Sequence, residues 1–329
     1  VCIALFVWVL CSVWWLFNAS FWGLFVAIFL YPFLLLFPFF LLCIYLKTKK
    51  QFAYVVFVLS FISLEWLFLH YDIIWPWLIL GNAFARSTMF IQWYAYTGVL
   101  GGSLWILLSN IAIYETWRKL KMRQKISIGH FMLTFSLMVP VFFSFYLKSQ
   151  KRKVNDTVEV VVVQPNIDSY TEKFSKISAA SQMKRMIYLS DSLITSQTRL
   201  LVLPETAIPC EVFESEIRNN AEVKTLMNYS KDHRNVTIVC GIITKKLLRQ
   251  NDTSYYNSSL CISGDSVAIY RKSKLLLGVE AMPMSQTFPW LNKLLLSFGQ
   301  KSVSFCTQNE RTVFRTKDAD FSSLICYES

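Results

Sequence analysis

The sequence predicts a multi-span α-helical membrane domain followed by an α/β sandwich domain, and two observations carry that prediction. Leu, Phe, Ile, Val and Trp dominate from Val1 to about Leu147, whereas a mixed, charged and alternating pattern runs from Lys148 onward. In the second half, β-branched runs alternate with polar amphipathic stretches, as strands and helices do in an α/β fold. The break in composition divides the 329 residues into a transmembrane domain, residues 1–147, and a second domain, residues 148–329.

A membrane helix needs roughly 20 mostly apolar residues to cross about 30 Å of hydrocarbon. Five segments approach that length, at about 2–17, 21–46, 52–69, 97–114 and 129–147. The first has no basic leader and a second apolar span follows at once, so it reads as an anchor and not as a signal peptide. The basic residues flank these spans, with clusters at Lys47, Lys49 and Lys50, at Arg118 to Lys125, and at Lys148 to Lys153. Retained on the cytoplasmic side, the first two clusters put the connection 70–96 and everything after Leu147 outside. The third cluster opposes this, but large domains cross largely regardless of charge. The net charge of +12 is therefore membrane-flanking charge, without the basic stripe and exposed aromatics that nucleic acid requires.

Between the third and fourth spans, residues 70–96 are aromatic and interrupted by Pro76 and Gly81. Backbone that is neither helix nor closed sheet cannot face lipid. Trp75, Trp77, Trp93 and Tyr94 then form either an interfacial aromatic belt or the floor of a lipid-accessible cavity.

In the second domain, the strands expected are Val158–Ile167, Leu200–Leu203, Val236–Ile243, Asn257–Ser263, Ser266–Tyr270 and Asp320–Cys326. Gly264-Asp265 turns a hairpin, and helices are expected over about 175–197 and 212–233. The eight cysteines form no CxxC pair and no zinc-type spacing with the three histidines, so neither metal nor cofactor is expected. Five cysteines fall in this domain, an odd number, which leaves at least one thiol outside any disulfide.

Three strand ends carry possible chemistry: Glu205 after LVLP, Lys272 after the strand ending in Tyr270, and Cys326 at the end of SSLIC. Each alone is ordinary. Together they supply a nucleophilic thiol, a general base to deprotonate it and a cation for the charge that develops on an attacked carbonyl.

The ordered motifs VVVVQPNID, EKF, LVLPETAIP, YNSSLCI, YRKSKLLLGVEAMP and LICYES, with EWLF, PWLILGNAFA and QWYAYTGVLGGSLWIL before them, resemble the apolipoprotein N-acyltransferases, the membrane branch of the nitrilase superfamily, in a Bacteroidetes-type version. The resemblance implies an αββα sandwich with Glu205 as base, Lys272 as transition-state stabiliser and Cys326 as nucleophile. It further implies supporting roles for Glu280, Tyr327 and Glu328, and a lipid entrance near Trp75, Pro76, Trp77 and Phe174. The implied reaction moves an acyl chain from a phospholipid, through a cysteine thioester, to the α-amino group of a diacylglyceryl-cysteine apolipoprotein. It would be run by a monomer in the bacterial inner membrane with the catalytic domain on the periplasmic side. Leu277 departs from the family pattern, where Pro is usual, and the family continues beyond the equivalent of Ser329, so the chain is expected to be truncated at both ends and its sandwich incomplete. A membrane-anchored amidase using water as acceptor and an inactive lipid-binding remnant are the alternative readings.

Overall fold

The computed structural model describes residues 1–19, 21–70, 76–126, 128–150, 157–168, 172–174, 176–234, 236–247, 253–276, 280 and 305–328. The chain divides into two compact units, Val1–Lys153 and Val154–Ser329.

The first unit is helical. It comprises α1 (Cys2–Val13), α2 (Leu16–Ala19), α3 (Phe21–Thr48), α4 (Ala53–His70), α5 (Tyr94–Lys121), α6 (Ile128–Ser136) and α7 (Val139–Ser149). Leu5, Val9 and Val13 form an i, i+4 stripe that buries α1 in a core shared with Leu35, Phe57, Phe61 and Phe68. Among the described residues, three segments are long and apolar enough to cross a membrane: Ala27–Thr48, Lys50–His70 and Tyr94–Lys121. The first and last of the five expected spans appear instead as shorter apolar helices, Cys2–Val13 and Thr134–Ser149. In the last, the helix is interrupted ahead of Pro140, which sits in the first turn of α7, and the Leu137 carbonyl freed there accepts from Trp105 Nε1 at 2.7 Å.

Between α4 and α5, the described residues form short 3₁₀ turns at Pro76–Leu78, Leu80–Phe84 and Thr88–Phe90. Leu78, Ile79 and Trp93 are buried. Their backbone needs partners, and the neighbouring helices supply them: Glu65 accepts from Leu80 N–H at 2.7 Å, Ser103 from Gly81 N–H at 2.8 Å and Ser144 from Gln92 N–H at 2.7 Å. Tyr94 donates to the Gly81 carbonyl at 3.0 Å. Glu65, Ser103 and Ser144 are fully buried, so polar residues in this apolar unit serve backbone that is not helical. Trp75 lies outside the described residues, and Trp77 packs edge-on against Trp15 at 5.5 Å.

The second unit is an α/β layer. A six-stranded mixed sheet holds β1 (Glu159–Val162), β2 (Thr198–Val202), β3 (Ile208–Phe213), β4 (Thr237–Leu247), β5 (Thr253–Ser263) and β6 (Ser266–Arg271), and β7 (Val313–Arg315) pairs separately with β8 (Asp320–Ser322). Strands β1, β2, β3 and β4 run parallel, while β4, β5 and β6 form antiparallel pairs closed by Gly264 at φ 55°. On one face lie α8 (Ala179–Asp191) and α9 (Ala221–Asp232), N-capped by Ser178 and Asn220. Met183, Met186, Val223 and Leu226 from these helices pack on Ile238, Ile242, Leu260 and Ile262. On the opposite face, Cys261 and Tyr270 meet Phe314 and Ile325.

Three elements differ from the sequence expectation. Residues 208–213, part of which reads as helix, form β3 because they pair with β4 before Asn220 caps α9. The opening strand is shorter than expected and only half-buried, with Val160 and Val162 exposed on an outer strand. The last strand ends at Ser322, short of Cys326, which instead opens a 3₁₀ turn with a left-handed backbone.

Strands β2 and β3 lie end to end along the same edge of β4: Val202 is opposite Val239 and Ile208 opposite Ile242. The five residues between them, 203–207, arch over β4, tied by Leu203 N–H to Val239 O at 2.8 Å and Gly241 N–H to Pro204 O at 3.0 Å. A Cβ at Gly241 would stand 1.6 Å from the Glu205 carbonyl oxygen. Only glycine lets the arch sit so low. Gly241→Ala should therefore cost about 1–3 kcal/mol of stability and displace Glu205, seen as a lowered thermal midpoint of the detergent-solubilised chain.

Candidate active site

Side chains alternate across a strand, so Asn257, Ser259 and Cys261 of β5 share the face turned away from α8 and α9. Tyr270 of β6 and Lys272 just beyond it project to the same side, and the arch over Gly241 brings Glu205 there. Two of the three strand-end candidates, Glu205 and Lys272, thus converge on one surface of the sheet.

Lys272 is 1% exposed, yet it carries an ammonium. Its Nζ lies 2.8 Å from both carboxylate oxygens of Glu280 and 3.9 Å from Glu205 Oε1. Glu280 is itself held by Leu276 N–H at 2.8 Å, and its backbone N–H returns to the Leu276 carbonyl at 2.9 Å. Asn257 completes the group: its Nδ2 donates to Glu205 Oε1 and to Glu280 Oε1, each at 2.8 Å. The Glu205 side chain is 42% exposed, and both its contacts fall on Oε1. Oε2 is the oxygen without a donor among the described residues.

Cys326 opens a 3₁₀ turn, Cys326–Glu328, with φ 49°. A non-glycine residue in this left-handed region carries about 1–3 kcal/mol of strain unless its surroundings impose it. Here Glu328, 6% exposed, imposes it. Its Oε2 accepts from Ile325 N–H at 3.0 Å, while Oε1 accepts from Tyr270 O–H at 2.6 Å, Ser273 N–H at 2.6 Å and Ser273 O–H at 2.5 Å. Ile325 packs under Tyr270, and Ser323 O–H bonds Ser259 O–H on β5 at 2.9 Å. The turn is thus clamped to Tyr270 and Ser273, which lie on either side of Lys272 in the sequence, and the Cys326 residue itself is exposed. All eight cysteines are thiols. Tyr327 lies inside the turn between Cys326 and Glu328.

A second cation, Lys173, stands within electrostatic reach of Glu205. The Lys173 carbonyl is fixed by Gln182 Nε2 at 2.6 Å, and burial pushes the Lys173 ammonium below its usual range while the charge of Glu205 partly offsets that. Lys173 and the exposed Phe174 line a cleft of about 440 Å³ with Lys176 and Pro209.

The structure therefore brings Glu205, Lys272 and Glu280 into one contact network and ties Glu328 to the turn that carries Cys326. Leu277 and Trp75 lie outside the described residues. Sequence reasoning overlooked Asn257, Lys173 and Ser273. Asn257 left one trace, an amide inside a strand whose composition otherwise favours β-branched and apolar residues. Ser273, in the polar run YRKSK, left none.

Burial pushes the Glu328 carboxyl up, but the hydrogen bonds from Ser273, Tyr270 and Ile325 outweigh it and hold the group below the ordinary carboxylate range. Its folded value being depressed, its stabilising contribution is full above the unfolded value and is lost as pH falls through the folded one. Glu328→Gln should lower the thermal midpoint at pH 7. The gap to the unsubstituted chain should narrow below about pH 4, as followed by thermal unfolding across a pH series.

A family model described as carbon-nitrogen hydrolase matches residues 159–329, and one described as apolipoprotein N-acyltransferase N-terminal domain matches residues 1–112. An apolipoprotein N-acyltransferase of Chlorobaculum tepidum is 26% identical over 97% of this chain and 63% of its own length. One from Rickettsia typhi is 24% identical over 88% of this chain and 55% of its own, and one from Helicobacter pylori is 32% identical over 41% and 28%. The chain spans 63% or less of the length of these three relatives. With more than half of its residues matched by one family model, the chain belongs to the carbon-nitrogen hydrolase family, as a member preceded by an apolar domain like that of the apolipoprotein N-acyltransferases.

Proposed function

We propose that this chain carries the catalytic groups of a phospholipid:apolipoprotein N-acyltransferase, with Cys326 as nucleophile, Glu205 as general base and Lys272 as oxyanion stabiliser. The observation that carries the reading is the Lys272–Glu280–Asn257–Glu205 network, with Lys272 and Glu280 buried, together with an exposed, left-handed Cys326 whose turn Glu328 ties to Tyr270 and Ser273, in a chain whose other unit has, among the described residues, three helices apolar enough to span a bilayer.

In the first half-reaction the Cys326 proton passes to Glu205, and the thiolate attacks the ester carbonyl of a phospholipid. The negative charge that forms on the carbonyl oxygen meets Lys272, two of whose N–H bonds are already directed at Glu280. The backbone N–H of Tyr327, next to the nucleophile, would be a second donor. Collapse breaks the ester C–O bond, the proton returns to the leaving glycerol oxygen, and a thioester and a lysophospholipid result. In the second half the α-amino group of a diacylglyceryl-cysteine attacks the thioester, Glu205 takes its proton, and an amide forms as Cys326 leaves and is reprotonated. Both substrates are anchored in lipid, and drawing an acyl chain into water would cost about 0.8 kcal/mol per CH₂.

We assign the domain division to residues 1–147 and 148–329, with the catalytic unit on the periplasmic side of the inner membrane. Trp75, Pro76 and Trp77 in the apolar unit, and Phe174 in the catalytic one, are the candidates for acyl-chain contact.

The test is to incubate the purified chain with phosphatidylethanolamine or phosphatidylglycerol bearing an isotope-labelled acyl chain and to follow Cys326 by mass spectrometry. One acyl group should appear on Cys326 and discharge onto a diacylglyceryl-cysteine peptide with a free amine, but not onto its N-acetylated form. Cys326→Ala should abolish the adduct, and Glu205→Gln should slow its formation by about 10²–10⁴-fold. Discharge to free fatty acid with no dependence on the peptide would favour the amidase-like reading, and the absence of any adduct would favour a remnant.

A further inference from the structure

The contact network around Lys272 contains one ammonium and two carboxylates, so one carboxylate must do without an ion-pair contact inside it; Lys173 acts on Glu205 only at longer range. The distances show which: Lys272 gives 2.8 Å contacts to both oxygens of Glu280 and stays 3.9 Å from Glu205. Something has to hold that asymmetry, because Glu205 is on an arch and its side chain is 42% exposed. Asn257 is the group that touches both acids, through one nitrogen, at 2.8 Å each. Its amide orientation follows from its partners, since only the NH₂ end can face two carboxylates. Its own backbone is fixed: Asn257 is opposite Ile243 in the sheet, and its carbonyl accepts from Lys272 N–H at 2.8 Å.

We propose that Asn257 is the positioning residue for the base, acting through Glu205: it pins Oε1 with a neutral donor, keeps Lys272 committed to Glu280, and so leaves Oε2 of Glu205 to take the Cys326 proton. A cation in its place would quench the base, and an acid would add a third negative charge. A hydroxyl could hold only one of the two carboxylates.

This inference rests on the proposed roles of Glu205 and Cys326 and not on the identity of the acyl donor or acceptor. The closing experiment therefore uses a reaction that needs neither. The thiolate of Cys326 displaces iodide from iodoacetamide, and the rate is read at the Cys326 peptide by mass spectrometry, at pH 7, on the full chain in detergent. Asn257→Ala should slow alkylation about tenfold and Asn257→Ser less, while acyl transfer loses kcat by roughly 10²-fold with KM within about twofold. In the background of Glu205→Gln, Asn257→Ala should change the alkylation rate by less than about twofold, because both act on the same step.

Unchanged alkylation in Asn257→Ala, or effects of Asn257→Ala and Glu205→Gln that multiply in full, would overturn the proposal. If Asn257→Ala does not fold, Asn257→Ser carries the same comparison. Slowed alkylation in a chain that transfers no acyl group would leave the role of Asn257 standing and remove the acyltransferase reading.

Discussion

The burial of one ammonium organises the second unit. An isolated cation removed from water is so unfavourable that it must find a partner or lose its proton, and Lys272, at 1% exposed, has Glu280 at 2.8 Å on both oxygens. Glu280 brings a charge of its own, which Leu276 N–H and Asn257 help to satisfy. Asn257 in turn reaches Glu205, whose arch exists only because Gly241 has no side chain. Each requirement calls up the next residue, so the site is better described as a chain of electrostatic obligations than as a set of independent side chains.

How much of this the sequence discloses depends on whether the relevant signal is local. Composition separates the apolar half from the mixed half, because membrane spans need long runs of one kind of residue. The hairpin at Gly264-Asp265 is equally local, and it appears where turn chemistry puts it. Strand β3 was hidden because Ile208 to Phe213 is short, carries a Pro and a Glu, and owes its conformation to pairing with β4. Glu205, Lys272 and Cys326 stood out through motifs, whereas Asn257, Ser273 and Lys173 acquire meaning only from partners tens of residues away, as Ser273 does from Glu328. Of the five expected spans, three are single helices of spanning length among the described residues, and hydropathy does not register the interruption ahead of Pro140, where Trp105 from another helix meets the freed Leu137 carbonyl.

The apolar unit obeys the same accounting with different groups. In a medium without water, each non-helical N–H must be matched by a protein acceptor, and Glu65, Ser103 and Ser144 each serve one such N–H on the interrupted segment between α4 and α5. Polar residues inside spans are often taken for transport or catalytic groups. Here their bonding gives them a scaffolding role that the local irregularity of the backbone demands.

The left-handed backbone at Cys326 sets the interests of folding against those of chemistry. Glycine adopts φ 49° without steric penalty, and every residue with a Cβ resists it. A chain with glycine at position 326 would sit more comfortably on the clamp that Glu328 provides and would have no thiol. The thiol at position 326 thus comes with a backbone strain that glycine would not carry, and the four hydrogen bonds on Glu328 are what the fold supplies to hold the turn there.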